Sequence, residues 1–177
     1  MKYLPIFALS KQRMTMADNM TLDFILRIFV AALLGGAIGL EREYRSKEAG
    51  FRTHFLVALG SALFMIVSQW GFSEVLNSGL TVRLDPSRVA AQVVSGIGFI
   101  GAGTIMIQKH AVRGLTTAAG VWVTAAIGLA CGAGMYLLSA ASTLLVLFGL
   151  EAMNLFLHRM NSNKRKEDND PESAESD

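Results

Sequence analysis

Long apolar runs separated by short polar segments dominate the pattern of residues along this chain. The runs cover residues 22–40, 53–73, 89–108 and 114–150. A helix that crosses a bilayer needs about 20 apolar residues, because backbone polar groups in lipid must be bonded within their own segment. The last run is nearly long enough for two crossings, and Gly132-Ala133-Gly134 favours a tight reversal within it. The pattern therefore predicts an all-α membrane protein with five transmembrane helices.

The first run contains an internal cation, Arg27. Asp23 lies one helical turn before it, so the two side chains can form an ion pair. Arg27 is also close enough to the end of the run for its guanidinium to reach the headgroup region. We therefore keep residues 22–40 as a transmembrane helix and expect the Asp23–Arg27 pair near its outer end.

Composition agrees with a lipid environment. Charged residues make up 17% of the chain, against about 25% in soluble domains, and no acidic residue occurs between Val89 and Leu150. A water-soluble surface cannot be built from that stretch. The one cysteine, Cys131, excludes an intramolecular disulfide and a Cys/His zinc cluster, and we expect it to be a small packing residue. A soluble enzyme, a disulfide-rich secreted domain and a nucleic-acid-binding protein are all disfavoured.

Lysine and arginine indicate the orientation, because short cytoplasmic loops carry an excess of both. With the N-terminus outside, the inner segments hold ten of these residues and the outer segments five. The chain is therefore predicted to have its N-terminus outside and its C-terminus in the cytoplasm.

The apolar core divides the chain into three parts. Residues 1–21 are predicted to be a disordered leader, with a signal peptide or a later natural start codon as alternatives. Residues 22–157 form the transmembrane domain. Residues 158–177 have a short basic cluster followed by six acids, and such a segment cannot bury enough apolar surface to fold alone. We expect it to be a disordered cytoplasmic tail.

Glycines recur at spacings that let helices approach closely. The candidate packing positions are Gly35 and Gly39 in the first helix, Gly98, Gly101 and Gly103 in the third, and Gly128 and Gly132 in the fourth. Residues 96–101 also match the G-x-G-x-x-G pattern of dinucleotide-binding proteins. That match fails on its context, because a strand before it and an acidic residue about 20 positions later are both missing.

Several polar side chains fall at membrane depth or at its edges, where each one costs free energy unless it is paired or hydrated. Gln69, Gln92 and Thr124 are expected to form hydrogen bonds between helices. At the outer face, Asp85, Arg88 and Gln92 form a polar group. Glu151, Asn154 and His158 share one helix face, which could hold a cation but is more often solvated. His54 and His110 are expected in the headgroup region.

The richest constellation lies on the predicted inner face. It contains Glu41, Arg42, Glu43, Arg52, Thr53, Thr116 and Thr117. Here Thr116 is expected to cap the fourth helix by accepting a free backbone N–H. Carboxylates and guanidiniums from several helix ends would then meet at one side of the membrane. Topology alone accounts for basic residues in these loops, but it does not explain the Glu-Arg-Glu alternation beside a glycine-rich helix.

Three segments in order resemble the MgtC/SapB family of bacterial inner-membrane proteins. They are residues 35–43 (GGAIGLERE) followed by 49–54 (AGFRTH), residues 85–103 (DPSRVAAQVVSGIGFIGAG) and residues 114–128 (GLTTAAGVWVTAAIG). The resemblance implies a five-helix membrane domain and a role in adaptation to low magnesium or acid stress, exerted through other membrane proteins such as ATP synthase or a magnesium transporter. The chain looks like a short branch of that family, with the membrane domain only.

Three functions remain as alternatives. The first is a non-enzymatic regulator that binds partner helices, or further copies of itself, through its glycine faces within the membrane lipid. The second is a transporter or channel for Mg²⁺ or protons, or an accessory subunit of a magnesium transporter, although the middle of the membrane offers few carboxylates for such a path. The third is an intramembrane enzyme, which is disfavoured because a nucleophile with a base at catalytic spacing is missing. The pattern implies neither a cofactor nor a metal site.

Overall fold

Five helices and one short hairpin make up the part of the chain that the structure, a computed structural model, describes: residues 6–72, 85, 87–108 and 111–167. In chain order the elements are α1 (Ile6–Tyr44), α2 (Phe51–Trp70), α3 (Ser87–Ala102), β1 (Met106–Gln108), β2 (Ala111–Arg113), α4 (Leu115–Gly132) and α5 (Tyr136–Glu167). The chain divides into two compact units, one ending at Thr143 within α5 and one beginning at Leu144.

Helix α1 is much longer than the apolar run within it. It includes residues 6–21, which the sequence assigned to a leader. Between Ile6 and Leu34 the sequence has no glycine or proline, so no residue interrupts the helix once it has started. In the same way, α5 continues through residues 158–167 of the predicted tail, while residues 1–5 and 168–177 of the leader and tail lie outside the described residues.

Small side chains form the core of the first unit. Helix α2 packs against α1 on one side and α4 on the other, and α3 packs mainly on α4. Fully or almost fully buried residues include Ala31, Ala32, Ala58, Ala62 and Ala125. Because alanine and glycine let helix backbones approach closely, this is packing of the kind found between helices in lipid.

Large apolar side chains point away from this core. They include Leu26, Phe29 and Leu33 of α1, Leu56, Leu63 and Phe64 of α2, and Phe99 of α3. Three helical segments are long and apolar enough to cross a membrane, namely Asp18–Tyr44, Phe51–Trp70 and Leu115–Gly132, and Tyr136–Ala152 is a shorter apolar segment. The all-α prediction and its five helices are confirmed for the described residues.

The predicted third helix was too long. It was expected to reach Gln108, but α3 ends at Ala102 and a hairpin follows in which Met106 pairs with Arg113 and Ile107 with Val112. Gly103 and Thr104 form a turn in which the Thr104 N–H and hydroxyl both donate to the Gly101 carbonyl, at 3.0 and 2.7 Å. This local bonding takes the chain out of the helix.

The reversal within the last apolar run is confirmed. Helix α4 ends at Gly132, and Gly134 adopts a positive φ of 82°. The Met135 N–H donates to the Ala130 carbonyl at 2.9 Å. A left-handed glycine after the helix end is a common C-terminal cap, because glycine has no Cβ to clash there.

Candidate functional site

Charged and hydroxyl side chains meet where the segment between α1 and α2 passes the start of α4. Arg42 is buried, with 2% of its surface exposed. Its guanidinium donates to both carboxylate oxygens of Glu41, and Arg45 lies 3.6 Å from the same carboxylate. One acid thus holds two arginines, and the buried guanidinium is charge-compensated, as burial of a charge requires.

Glu43, near the end of α1, forms a hydrogen bond to the first residue of the next helix. Its carboxylate accepts a hydrogen bond of 2.8 Å from the backbone N–H of Phe51, the first residue of α2. The first N–H groups of a helix lack partners within it, and a negative charge there is favourable for the helix dipole. Glu43 therefore ties the end of α1 to the beginning of α2.

Glu48 extends the cluster to α4. The Thr117 hydroxyl donates to the Glu48 carboxylate at 2.7 Å, across 69 residues of sequence. This hydrogen bond is the main reason that the pKa of Glu48 lies below its ordinary value, and Lys47 and Arg113 add to the effect. Glu48 thus stays ionised in moderate acid and keeps the loop attached to α4.

Replacing Thr117 with valine should raise the pKa of Glu48 toward its ordinary value. Because the folded-state pKa is lowered, this bond stabilises the protein above the unfolded-state pKa, and the effect is lost as pH falls through the folded value. The variant should therefore be less stable than wild type near neutral pH, and the difference should shrink below about pH 4. Unfolding in detergent as a function of pH measures this.

Thr116→Val is the matched control, since the neighbouring Thr116 is exposed. Its stability difference from wild type should not depend on pH. A pH-independent loss in Thr117→Val would contradict the role given to Glu48.

His54 lies fully buried where α2 faces α4, rather than in the headgroup region as expected. Its Nδ1 is 2.9 Å from the Gly50 carbonyl oxygen, so Nδ1 carries the proton and donates it. Nε2 is then an acceptor that has no hydrogen-bond partner among the described residues. A Cβ placed on Gly120 of α4 would lie 3.5 Å from this nitrogen.

Gly120→Ser should therefore stabilise the protein by giving Nε2 a donor. The added Cβ makes an ordinary contact, and the hydroxyl comes within reach of the nitrogen. Gly120→Ala is the control for the gain that any side chain brings to a helix. We expect serine to exceed alanine by about 1 kcal/mol in detergent unfolding. A serine variant less stable than the alanine variant would show that Nε2 accepts no bond.

Other residues predicted for the inner face do not join this network. Arg52 is exposed and Thr53 half-buried in the first turn of α2. The expected cap by Thr116 is wrong: Gly114 precedes α4 with a φ of 87°, the helix begins at Leu115, and this N-cap position has no side-chain hydrogen bond. A Cβ on Gly114 would meet the Thr104 carbonyl oxygen at 1.9 Å.

The polar residues of the predicted outer face surround the start of α3. Asp85 accepts hydrogen bonds from the Ser87 N–H at 3.0 Å and the Ser87 hydroxyl at 2.6 Å, and these bonds lower the pKa of Asp85. Arg88 and Gln92 are exposed. Gln92 lines an apolar cavity of about 450 Å³ between α2 and α3.

The Asp23–Arg27 ion pair is confirmed, at 2.6 Å. Arg27 also donates to the Gly132 carbonyl at 2.9 Å, and the Tyr136 hydroxyl donates to Asp23 at 3.4 Å. The end of a helix leaves its last carbonyls unpaired and favours a cation. Arg27 of α1 therefore donates to a free carbonyl at the C-terminal end of α4. The sequence pattern did not indicate this contact between the two helices.

The packing glycines fall into two groups. A Cβ on Gly35 or Gly39 would lie 2.6 Å from an atom of the α2 backbone, and one on Gly128 or Gly132 would lie 2.4 or 2.5 Å from an α2 carbonyl oxygen. In α3, Gly101 approaches Ala118 of α4. Gly98 has open space around it, and Gly103 meets only carbonyls of its own helix end. The expectation that all three α3 glycines face another helix is therefore wrong within the described chain.

One further polar prediction changes. Thr124 donates to the Gly120 carbonyl of its own helix at 2.8 Å rather than to another helix. Cys131 is fully buried, as expected of a packing residue. Glu151 is exposed, while His110 and the side chains of Asn154 and His158 lie outside the described residues. Among the described residues, no group of three or more His, Cys, Asp or Glu is placed to hold a metal ion.

Comparison with known proteins gives a consistent result. The profile of the MgtC family matches residues 28–159. The chain is 54% identical over 145 residues to the Escherichia coli (strain K12) protein named "Putative magnesium transporter YhiD", covering 81% of this chain and 67% of that protein. It is 46% identical over 124 residues to Protein MgtC of Salmonella typhimurium (strain LT2), covering 70% of this chain. Protein MgtC of Brucella abortus (strain 2308) is 47% identical over 117 residues, covering 66% of this chain.

The match covers about half the length of these two MgtC proteins, 49% and 45% respectively. Residues 28–159, which the family profile matches, include the glycine-rich helices and the charged cluster described above. No solved structure shows a significant match to the chain.

Proposed function

This chain belongs to the MgtC family of membrane proteins linked to magnesium, and on that premise we propose that it is a regulator rather than an enzyme. It acts in adaptation to low magnesium or acid stress from the bacterial inner membrane. Its five helices cross the bilayer, with the N-terminus outside and the C-terminus in the cytoplasm. It works by binding other integral membrane proteins, and ATP synthase and a magnesium transporter are the candidates that the family suggests.

The uncovered surface of α3 carries this proposal. Of its 16 residues only Ile97 and Gly101 are buried. Gly96 and Gly98 have open space where a Cβ would be, and the neighbouring Phe99 is 86% exposed. Small residues beside a large apolar side chain form the kind of surface on which another membrane helix packs. Since the described residues of the first unit leave that surface free, a partner helix can use it.

The charged cluster supports the orientation. The end of α1, the start of α2 and the start of α4 meet there, and Lys47, Arg52 and Arg113 are exposed around it. Basic residues in short loops favour the cytoplasmic side. A reporter fused after residue 167 should be active in the cytoplasm only.

Photocrosslinking in native membranes tests partner binding. A photoreactive residue at position 99 should capture a distinct integral membrane protein when cells grow in low magnesium. Position 137 in α5 is the matched control, because Leu137 is also 86% exposed. Mass spectrometry of the product at position 99 would show whether the partner is a subunit of ATP synthase, a magnesium transporter or another copy of this chain.

Crosslinking to lipid alone at both positions would contradict the proposal, provided that deletion of the gene slows growth of the same strain in low magnesium. A partner captured equally from both positions would show that α3 is not the specific surface.

Transport of Mg²⁺ or protons, either directly or as an accessory subunit, is the alternative. The name of YhiD, at 54% identity, favours it. Purified protein in liposomes should then conduct Mg²⁺ or protons down an imposed gradient, and Glu41→Gln or Asp23→Asn should reduce that flux. Liposomes as tight as empty ones under both gradients would exclude direct transport.

A further inference from the structure

The hairpin between α3 and α4 has two exposed apolar side chains at directly opposite positions. Ile107 pairs with Val112 across the antiparallel strands, and these residues are 78% and 54% exposed. Opposite residues of an antiparallel pair point to the same face, and their neighbours along each strand point to the other. The hairpin therefore has one face formed by Ile107 and Val112 and an opposite face that carries Met106, Ala111 and Arg113, of which Met106 is the less exposed apolar residue at 42%.

The strands cannot lie in hydrocarbon. Within the described residues the sheet has two strands only, so the outer edge of each strand presents backbone N–H and C=O groups without sheet partners. Open strand edges do not occur in the hydrocarbon region, because each unsatisfied group there costs several kcal/mol. Moving the two exposed apolar side chains out of water, on the other hand, lowers the free energy. The boundary between headgroups and hydrocarbon is the position that satisfies both requirements.

The base of the hairpin is fixed to the helices. A Cβ on Gly114 would lie 1.9 Å from the Thr104 carbonyl oxygen, so the chain entering the hairpin and the chain leaving it are in close contact. Gly114 is immediately followed by α4, a candidate transmembrane segment. The hairpin is consequently held at one end of a spanning helix, which is where the lipid headgroups lie.

The charge around the hairpin is positive. Arg113 is exposed on the hairpin itself, and Lys47 lies close enough that Lys47 and Arg113 both act on the Glu48 carboxylate. The Glu48 carboxylate offsets one of these two cations, and the sequence from Val89 to Leu150, which includes the whole hairpin, has no acid. Each lysine or arginine near an anionic membrane surface favours binding by about fivefold.

We propose that this hairpin is an interfacial anchor that inserts Ile107 and Val112 between the headgroups of anionic lipids, with Arg113 and its basic neighbour Lys47 on the lipid phosphates. The occupant of the face formed by Ile107 and Val112 is thus the membrane itself. This proposal depends on the membrane location of the chain and not on the identity of its partner.

Site-directed spin labelling of the full chain tests it. In a Cys131→Ala background, which removes the chain's only cysteine, a nitroxide is attached at Ile107→Cys, and at Ala111→Cys as the control on the opposite face. The proteins are reconstituted in phosphatidylcholine vesicles with and without phosphatidylglycerol. We expect the label at 107 to be reached by oxygen and protected from a water-soluble nickel reagent, with an accessibility ratio several times that at 111.

The anionic component is tested by the same ratio. Phosphatidylglycerol should increase it at position 107, and Arg113→Gln should reduce that increase. A label at 107 that the nickel reagent reaches as well as at 111 would overturn the proposal. A label that neither reagent reaches would overturn it in favour of a protein contact on the face of Ile107 and Val112. A ratio unaffected by phosphatidylglycerol would overturn the assignment to anionic lipid.

Discussion

Gly128→Ala should disrupt the packing of α2 on α4. The added Cβ would lie 2.4 Å from the Ala58 carbonyl oxygen and 2.8 Å from the Ser61 Cβ, both on α2. These distances are far below van der Waals contact, and a backbone carbonyl cannot rotate away as a flexible side chain can. We expect a loss of about 3 kcal/mol in the free energy of unfolding, measured by detergent-induced unfolding, and a lower abundance in membranes.

Relief by movement of α2 is blocked from its other side. There a Cβ on Gly35 would meet the Ala58 Cβ at 2.5 Å, so α1 and α2 are also as close as glycine permits. Gly60→Ala is the matched control on α2, because nothing lies within 4 Å of the position of its Cβ. That variant should be as stable as wild type or slightly more so, since alanine favours a helix over glycine by about 1 kcal/mol. Equal stability of the two variants would show that the close approach at Gly128 has little importance.

Arg27→Gln should also destabilise the protein, at the C-terminal end of α4. The substitution leaves the Asp23 carboxylate without its cation and shortens the group that bonds the Gly132 carbonyl. The pair is part-buried, with Arg27 15% and Asp23 40% exposed, and removing one partner leaves an uncompensated charge and an unpaired carbonyl. Because Asp23 is solvent-exposed, we expect a loss of about 2 kcal/mol in detergent unfolding.

A double variant separates the two consequences. In Asp23→Asn/Arg27→Gln the uncompensated charge is absent, so stability should partly return toward wild type. Arg88→Gln is the control for removal of an arginine as such, because Arg88 is exposed at the start of α3, and its stability should be close to wild type. A double variant as unstable as Arg27→Gln alone would contradict the ion-pair explanation.

Local patterns in the sequence identified the features that depend on neighbouring residues. The helical reversal at Gly132–Gly134 and the Asp23–Arg27 pair depend on residues within one or two turns, and both are confirmed. Features that depend on distant contacts were missed. The bond from Thr117 to Glu48 joins residues 69 positions apart, and Glu48 has no local pattern that distinguishes it from other loop acids.

The hairpin and the burial of His54 show the same limit. The apolar run through residue 108 has the composition of a helix, and the turn at Gly103 and Thr104 that ends α3 also contacts Gly114, ten residues beyond Thr104. Gly103 and Gly114, each next to the end of an apolar segment, were the available signals. His54 is near the end of a run, which favours an interfacial position, but Gly39 and Gly120 leave room for its ring between α1 and α4.

Spacing identified glycines as packing residues without indicating their partners. Gly35 and Gly128 both face Ala58 of α2, whereas Gly98 faces open space. A small residue permits a close approach, but only the arrangement of the other helices decides whether an approach occurs. The same residue type is therefore a site of internal packing in α1 and α4 and a free surface in α3.

The position of Ala58 between two glycines limits how this protein can change shape. A Cβ on Gly35 would lie 2.5 Å from the Ala58 Cβ, and one on Gly128 would lie 2.4 Å from the Ala58 carbonyl oxygen. Contacts this close on both sides of α2 couple its movement to that of α1 and α4. Helix α3 has only two buried residues, Ile97 and Gly101, so a tilt of α3 would disturb fewer close contacts and would change the size of the cavity beside Gln92.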